Sequence, residues 1–130
     1  MKLYSGVLVK SGNKVLLCKR SPKESRPNTW SIPCGHIEKN ETPIEGAIRE
    51  FNEETNINLK KPDKLLNFIQ IGNKEGLLYV FFKELKQEKQ PDLTKAKSGH
   101  EHTECGYFDI ENLPITDKND DLYKIILKIL

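Results

Sequence analysis

The stretch from Thr42 to Asn56 leaves the chain least freedom. Thr42-Pro43-Ile44-Glu45 carries the signature of a capping box: a hydroxyl before the first turn, a glutamate three residues on, and proline at the first helical position. Ile44, Ala47, Ile48, Phe51 and Thr55 then recur at helical spacing, which predicts one buried face. Asn56 follows the last turn, where a residue that tolerates the left-handed conformation is favoured.

The rest of the chain must cover that face. Leu3 to Lys10 and Asn13 to Arg20 read as strands joined through the turn Ser11-Gly12-Asn13, hence as a hairpin. Ser21 to Thr29 reads as a loop, and Trp30 to Pro33 as a short extended piece, because Pro33 disfavours helix before it. Leu65 to Ile71 and Leu77 to Leu85 read as strands around Gly72–Gly76. Lys86 to Gly99 is a polar connection, and Tyr107 and Phe108 belong to a last strand. Asp120 to Leu130 predicts an amphipathic helix that turns Leu122, Ile125, Ile126, Ile129 and Leu130 inward. Strands mixed with a central and a late helix predict an α/β domain, a sheet with helices on its faces.

A chain of 130 residues, 36% hydrophobic and 31% charged, suits one folded domain over residues 1–130. The net charge of +2 is too small to argue for a nucleic-acid partner, although Lys10, Lys14, Lys19, Arg20, Lys23 and Arg26 crowd the first quarter. No apolar run reaches the length of a membrane span. Three cysteines (Cys18, Cys34 and Cys105), without paired or zinc-type spacing and without a signal-peptide pattern at Met1–Gly6, set an expectation of reduced thiols and a cytoplasmic location.

Function enters through acidic residues on the helix. Glu50, Glu53 and Glu54 are three and four residues apart, so their carboxylates occupy neighbouring positions of one face. Like charges so placed repel, and something positive should offset them. Arg49 can pair with Glu53 or reach elsewhere, and a divalent cation would do far more. Oxygen ligands select Mg²⁺ or Mn²⁺, with Ca²⁺ also accommodated. The helix alone is better described as a solvated acidic surface.

The wider segment decides between these readings. Gly35, five residues, Glu41, seven residues, then Arg49-Glu50-Phe51-Asn52-Glu53-Glu54-Thr55-Asn56-Ile57 resembles the Nudix box. Every charged position matches. Phe51 stands where an aliphatic residue is usual and Asn56 where glycine is usual. Trp30-Ser31-Ile32-Pro33-Cys34-Gly35 resembles the family's lead-in, with Cys34 in place of a glycine. Val15–Arg20 is similar to its second strand, and Glu101–Phe108 with Leu113-Pro114 to its late strand and exit.

The resemblance implies a Nudix fold, a mixed β-sheet sandwiched between helices (α/β/α). It implies a Mg²⁺-dependent hydrolase, with Mn²⁺ as the alternative ion, cleaving a pyrophosphate bond in a nucleoside diphosphate linked to another group. By the same resemblance Glu50, Glu53, Glu54 and the Gly35 carbonyl are the metal ligands, and Glu41 and Arg49 support them. The general base is Glu50, Glu53, Glu101 or Glu104. Arg20 is the implied phosphate contact. Trp30 is a candidate to stack on a base, with Tyr79 and Phe81, and Asn119 and Asp120 are candidates to read one. Core packing and helix capping explain those residues as well.

A nucleoside triphosphate, modified or not, is the substrate the sequence leans towards. A sugar nucleotide, a dinucleoside polyphosphate and coenzyme A are the alternatives within the family, and a nucleotide-binding module without catalysis is the alternative outside enzymology. Loss of catalysis normally removes box carboxylates, and all are present here. The expected partner is a small nucleotide, with neither membrane nor nucleic acid required, in a monomer or a homodimer.

Overall fold

The computed structural model describes residues 1–24, 26–71, 75–96 and 102–129. Strands β1 (Lys2–Ser11) and β2 (Lys14–Arg20) meet in the expected hairpin, with Lys10 opposite Val15 and Ser11 opposite Lys14. Short strands β3 (Trp30–Ser31) and β4 (Cys34–His36) follow, then helix α1 (Pro43–Thr55). Strands β5 (Lys64–Ile71) and β6 (Gly76–Leu85) form an antiparallel pair, and β7 (His102–Asp109) leads through a 3₁₀ turn at Ile110–Asn112 to helix α2 (Asp121–Leu127).

The seven strands make one mixed sheet, ordered β3–β2–β1–β6–β5, with β4 also on β1 and β7 on β2. β1 runs parallel to β6 from Lys2 opposite Gly76 to Ser11 opposite Leu85. Its other edge is shared: β4 pairs with Tyr4, Ser5 and Gly6, and β2 takes over at Lys10. Residues Ser5 to Val9 are therefore buried without alternation, because both sheet faces are covered.

Two apolar layers result. Val7, Val9, Leu16 and Phe81 pack with Ala47 and Phe51 of α1. Leu8, Val15, Leu17 and Val80 pack with Leu122, Ile125 and Ile126 of α2. The sheet thus lies between two helices, the α/β/α sandwich that the sequence implies. Of the face assigned to α1, Ala47, Phe51 and Thr55 are buried, whereas Ile44 and Ile48 are partly exposed.

One expectation is overturned. Cys18 and Cys105 are not free thiols: they form a disulfide between β2 and β7, where they stand directly opposite in register with Cα atoms 4.0 Å apart. A separation of 87 residues hides this pairing from any local spacing rule. Cys34 takes no part in the disulfide and is half-buried. The cytoplasmic expectation loses the support it drew from reduced thiols. Among the described residues no helix is long and apolar enough to cross a membrane.

Candidate metal and catalytic site

The site is built on α1 and the strand in front of it. Thr42 caps the helix as its sequence requires. Its hydroxyl accepts from the Glu45 N–H at 3.2 Å, and the Glu45 carboxylate accepts from the Thr42 N–H at 2.8 Å. At the other end Asn56 adopts φ 60°, and its N–H donates to the Asn52 carbonyl. Asparagine thus takes the left-handed position where glycine is usual, since its side chain tolerates that backbone better than most. Both ends being fixed, the rotation of the helix is fixed, and so is the side on which its acids emerge.

Arg49 is the hub. All five of its N–H donors are used. Nε and Nη2 hold the two oxygens of Glu41 at 2.8 and 3.0 Å, a two-point fork. Nη1 donates to Glu50 Oε1 at 2.9 Å and to Glu53 Oε2 at 3.1 Å. Nη2 also donates to the His36 carbonyl at 2.9 Å, tying the helix to β4. The guanidinium both pairs with Glu53 and reaches elsewhere, and so supplies the positive charge that the crowded carboxylates demand.

The surrounding acids respond. The Arg49 hydrogen bond holds the Glu41 carboxyl below its ordinary value of 4.5. The Glu38 N–H, 2.9 Å away, acts in the same direction, and burial opposes both. Arg49 is itself pushed above its usual range, mainly by Glu41.

Gly35, on β4, faces the same cluster. A Cβ at this position would run into the Glu50 carboxylate and push that flexible side chain away, so glycine lets the carboxylate lie directly against β4. Glu54 lies deeper, 1% exposed, with Oε1 3.7 Å from Nε2 of His102. That distance is a contact between a carboxylate and an uncharged ring, because burial, reinforced by the charge of Arg20, pushes His102 down to about 4. Glu50 and Glu53 therefore share Arg49 beside Gly35, while Glu54 points under the helix.

These donors suit a hard cation. Two carboxylates and a glycine strand at close quarters offer hard oxygen donors, while Glu54, the third carboxylate of the helix, is buried against His102.

The remaining candidates are dispersed. Arg20 ends β2 and pairs with Glu24 at 3.9 Å. Trp30 packs edge-on against Phe108, ring centroids 4.8 Å apart, at the border of the α2 layer. Tyr79 is half-buried against Phe68, and Phe81 is core. Asp120 caps α2, accepting from the Leu122 and Tyr123 N–H groups, and lies 3.6 Å from Arg26. Asn119 is exposed beside it and donates its N–H to Asp117. Glu104 pairs with Lys19 at 3.8 Å. Glu101 and His100 lie outside the described residues.

The sequence left two contributors unnoticed. Strand β4 is too short to show a period. Glu38 closes on Arg49 at 3.4 Å from a loop. His102, within the segment similar to the family's late strand, is the buried first residue of β7.

A mixed sheet between helices, with a glycine strand and a capped helix gathering carboxylates around one arginine, defines a single class of fold and site. The chain belongs to the NUDIX family, whose domain model matches residues 3–129. It is 31% identical over 123 residues to an RNA pyrophosphohydrolase of Pelagibacter ubique (strain HTCC1062), covering 82% of this chain and 75% of that one. A protein named Probable DHNTP pyrophosphohydrolase from Lactococcus lactis subsp. cremoris (strain MG1363) is 36% identical over 77 residues. That match covers 59% of this chain but only 37% of the relative. In fold, the chain superposes on the MutT NUDIX hydrolase of Burkholderia pseudomallei with a TM-score of 0.77 at 21% identity, covering 99% and 98% of the two chains.

Proposed function

We propose that the chain hydrolyses a pyrophosphate bond in a nucleoside diphosphate linked to another group, nucleoside triphosphates being the favoured substrates. The observation that carries this reading is the Arg49 hub, which brings Glu41, Glu50 and Glu53 together beside Gly35. Family membership and relatives named as pyrophosphohydrolases support it.

Glu50, Glu53, Glu54 and the Gly35 carbonyl are the residues that would hold Mg²⁺ or Mn²⁺. Such an ion, when bound, supplies neutralisation of phosphate charge and acidification of a water. The rest falls to the chain. Arg49 holds Glu41, Glu50 and Glu53 in place by direct hydrogen bonds. Glu53, partly exposed, is the best-placed described residue to take a proton from the attacking water. Arg20 would meet a phosphate oxygen at the end of β2, and Asn119 and Asp120 would lie towards the base. A cytoplasmic location belongs to the same reading.

The test is a panel of nucleoside triphosphates, sugar nucleotides, dinucleoside polyphosphates and coenzyme A, assayed with Mg²⁺ and with the phosphate products identified. Glu53→Gln should lower turnover on the preferred substrate by at least about 10²–10⁴-fold with the fold intact. Glu101→Gln separates the base assignments: a loss as large as that of Glu53→Gln moves the base to Glu101. Parent-like rates from both variants on every nucleotide cleaved, or no cleavage by the parent, would leave a nucleotide-binding module.

A further inference from the structure

Behind the carboxylate helix, on the same side of the sheet, stands a second group of ligand-type residues. Cys18 on β2 faces Cys105 on β7, and His102 lies three residues before Cys105. Residues three apart on a regular strand point to opposite faces. Here the register slips: Lys19 pairs with Glu104, but Arg20 pairs with His102, which leaves Thr103 as an extra residue. This bulge turns His102 onto the face that carries the cysteines.

The consequence is a compact donor set. One ligand atom from each of Cys18, His102 and Cys105 lies within 4.8 Å of the other two. Cys18 is fully buried, His102 is 8% exposed and Cys105 is half-buried. Nδ1 of His102 is buried with no hydrogen-bond partner among the described residues. On the other side of the ring, Nε2 faces the Glu54 carboxylate. A histidine that ligates through one nitrogen typically meets a carboxylate, carbonyl or water at the other.

Two sulfurs and an imidazole are soft and borderline donors. They suit Zn²⁺ and match Mg²⁺ poorly, the reverse of the oxygen set on α1. Bonds of about 2.3 Å to sulfur and about 2.0 Å to nitrogen hold three such donors roughly 3–4 Å apart. The present set falls within 4.8 Å, and its two sulfurs, joined to each other in the disulfide, must part on reduction to take that spacing. A fourth position would be left for water or a further oxygen.

We propose that the reduced chain binds a Zn²⁺-type cation through Cys18, Cys105 and His102, and that oxidation of the two cysteines to the disulfide abolishes the site. A dithiol reductant supplies two electrons and two protons, opens the sulfur–sulfur bond to two thiols, and becomes a disulfide itself. Metal binding then releases the two thiol protons. The oxidised pair offers no thiolate, so disulfide and metal exclude one another. The bulge at Thr103 and the cross-strand register hold the donors together in either state.

The test uses the full chain reduced anaerobically with a phosphine, with Co²⁺ as the spectroscopic probe. One equivalent should give a thiolate-to-cobalt charge-transfer band and strong tetrahedral d–d bands. Zn²⁺ should bleach both, and excess Mg²⁺ neither. Glutamates cannot produce the charge-transfer band, so Glu53→Gln should keep it, as should Cys34→Ser. Cys18→Ser and Cys105→Ser should each lower it by at least about half, the double variant and the oxidised chain should lose it, and His102→Ala should lose the tetrahedral bands. Circular dichroism checks that each variant folds, and His102→Ala leaves both thiols for titration if a serine variant does not. A reduced parent without the charge-transfer band, or a band abolished by Cys34→Ser, overturns the proposal. Because the readout is spectral, its failure leaves the hydrolase reading untouched.

Discussion

At the scale of the residue, Arg49 has the most to lose. Its planar fork satisfies Glu41 in two contacts and still reaches Glu50, Glu53 and the His36 carbonyl. A lysine keeps the charge but cannot make this set of contacts from one ammonium group. Arg49→Lys should therefore lower activity or metal affinity by about 10–100-fold, read from Mg²⁺ titrations of the initial rate. Parent-like titrations would show that the fork is dispensable. Glu41 gives a pH prediction with a definite sign. Its carboxyl is held below 4.5 in the folded chain, chiefly by Arg49, so the unfolded chain binds its proton first. Its contribution to stability is complete above 4.5 and disappears as pH falls through the lower, folded value. Urea unfolding from pH 7 downwards should show a steeper acid loss for the parent than for Glu41→Gln, and parallel curves would exclude the linkage.

At the scale of the element, α1 depends on its ends. Both bonds of the capping box are present, with Pro43 in the first turn. Removing the hydroxyl leaves the Glu45 N–H without its acceptor. Thr42→Ala should destabilise the protein by about 0.5–2 kcal/mol, measured as a shift in urea midpoint without a change in slope. Asn56 marks the opposite end at φ 60°. Asn56→Gly should be tolerated, because glycine enters this conformation without steric strain. Asn56→Ala should be the more damaging change, and the urea midpoints of the two variants will order them. The sheet shows the same dependence on local irregularity. Without the slip between Lys19 and Arg20, His102 would face away from Glu54, Cys18 and Cys105.

At the scale of the whole molecule, the disulfide and the two apolar layers act together. Linking Cys18 to Cys105 ties β2 to β7 across 87 residues of sequence. In the chain-entropy account, a loop of this length restricts the unfolded chain by about 4–5 kcal/mol. Reduction in the presence of a chelator should lower the thermal midpoint accordingly, by differential scanning calorimetry at matched pH. An unchanged midpoint would mean that the link constrains little that the sheet does not already hold. The layers explain why the chain still has a core to fold around. α1 covers Val7, Val9 and Leu16, α2 covers Leu8, Val15 and Leu17, and the sheet between them is buried on both sides.

Local chemistry by itself determined the capped helix, its apolar face and the turn between β1 and β2, because each depends on residues within a few positions of one another. The same short range placed Glu50, Glu53 and Glu54 on adjacent turns and made Arg49 available to Glu53. Tertiary structure decided what depends on contacts between distant segments. The parallel pairing of β1 with β6, the short β4 that brings Gly35 against Glu50, and the descent of Glu54 towards His102 leave no periodic trace in the chain. The cysteines show the limit most clearly. Their number and spacing pointed to free thiols, yet the register of β2 on β7 sets Cys18 opposite Cys105, and strand register is fixed by packing across the whole sheet.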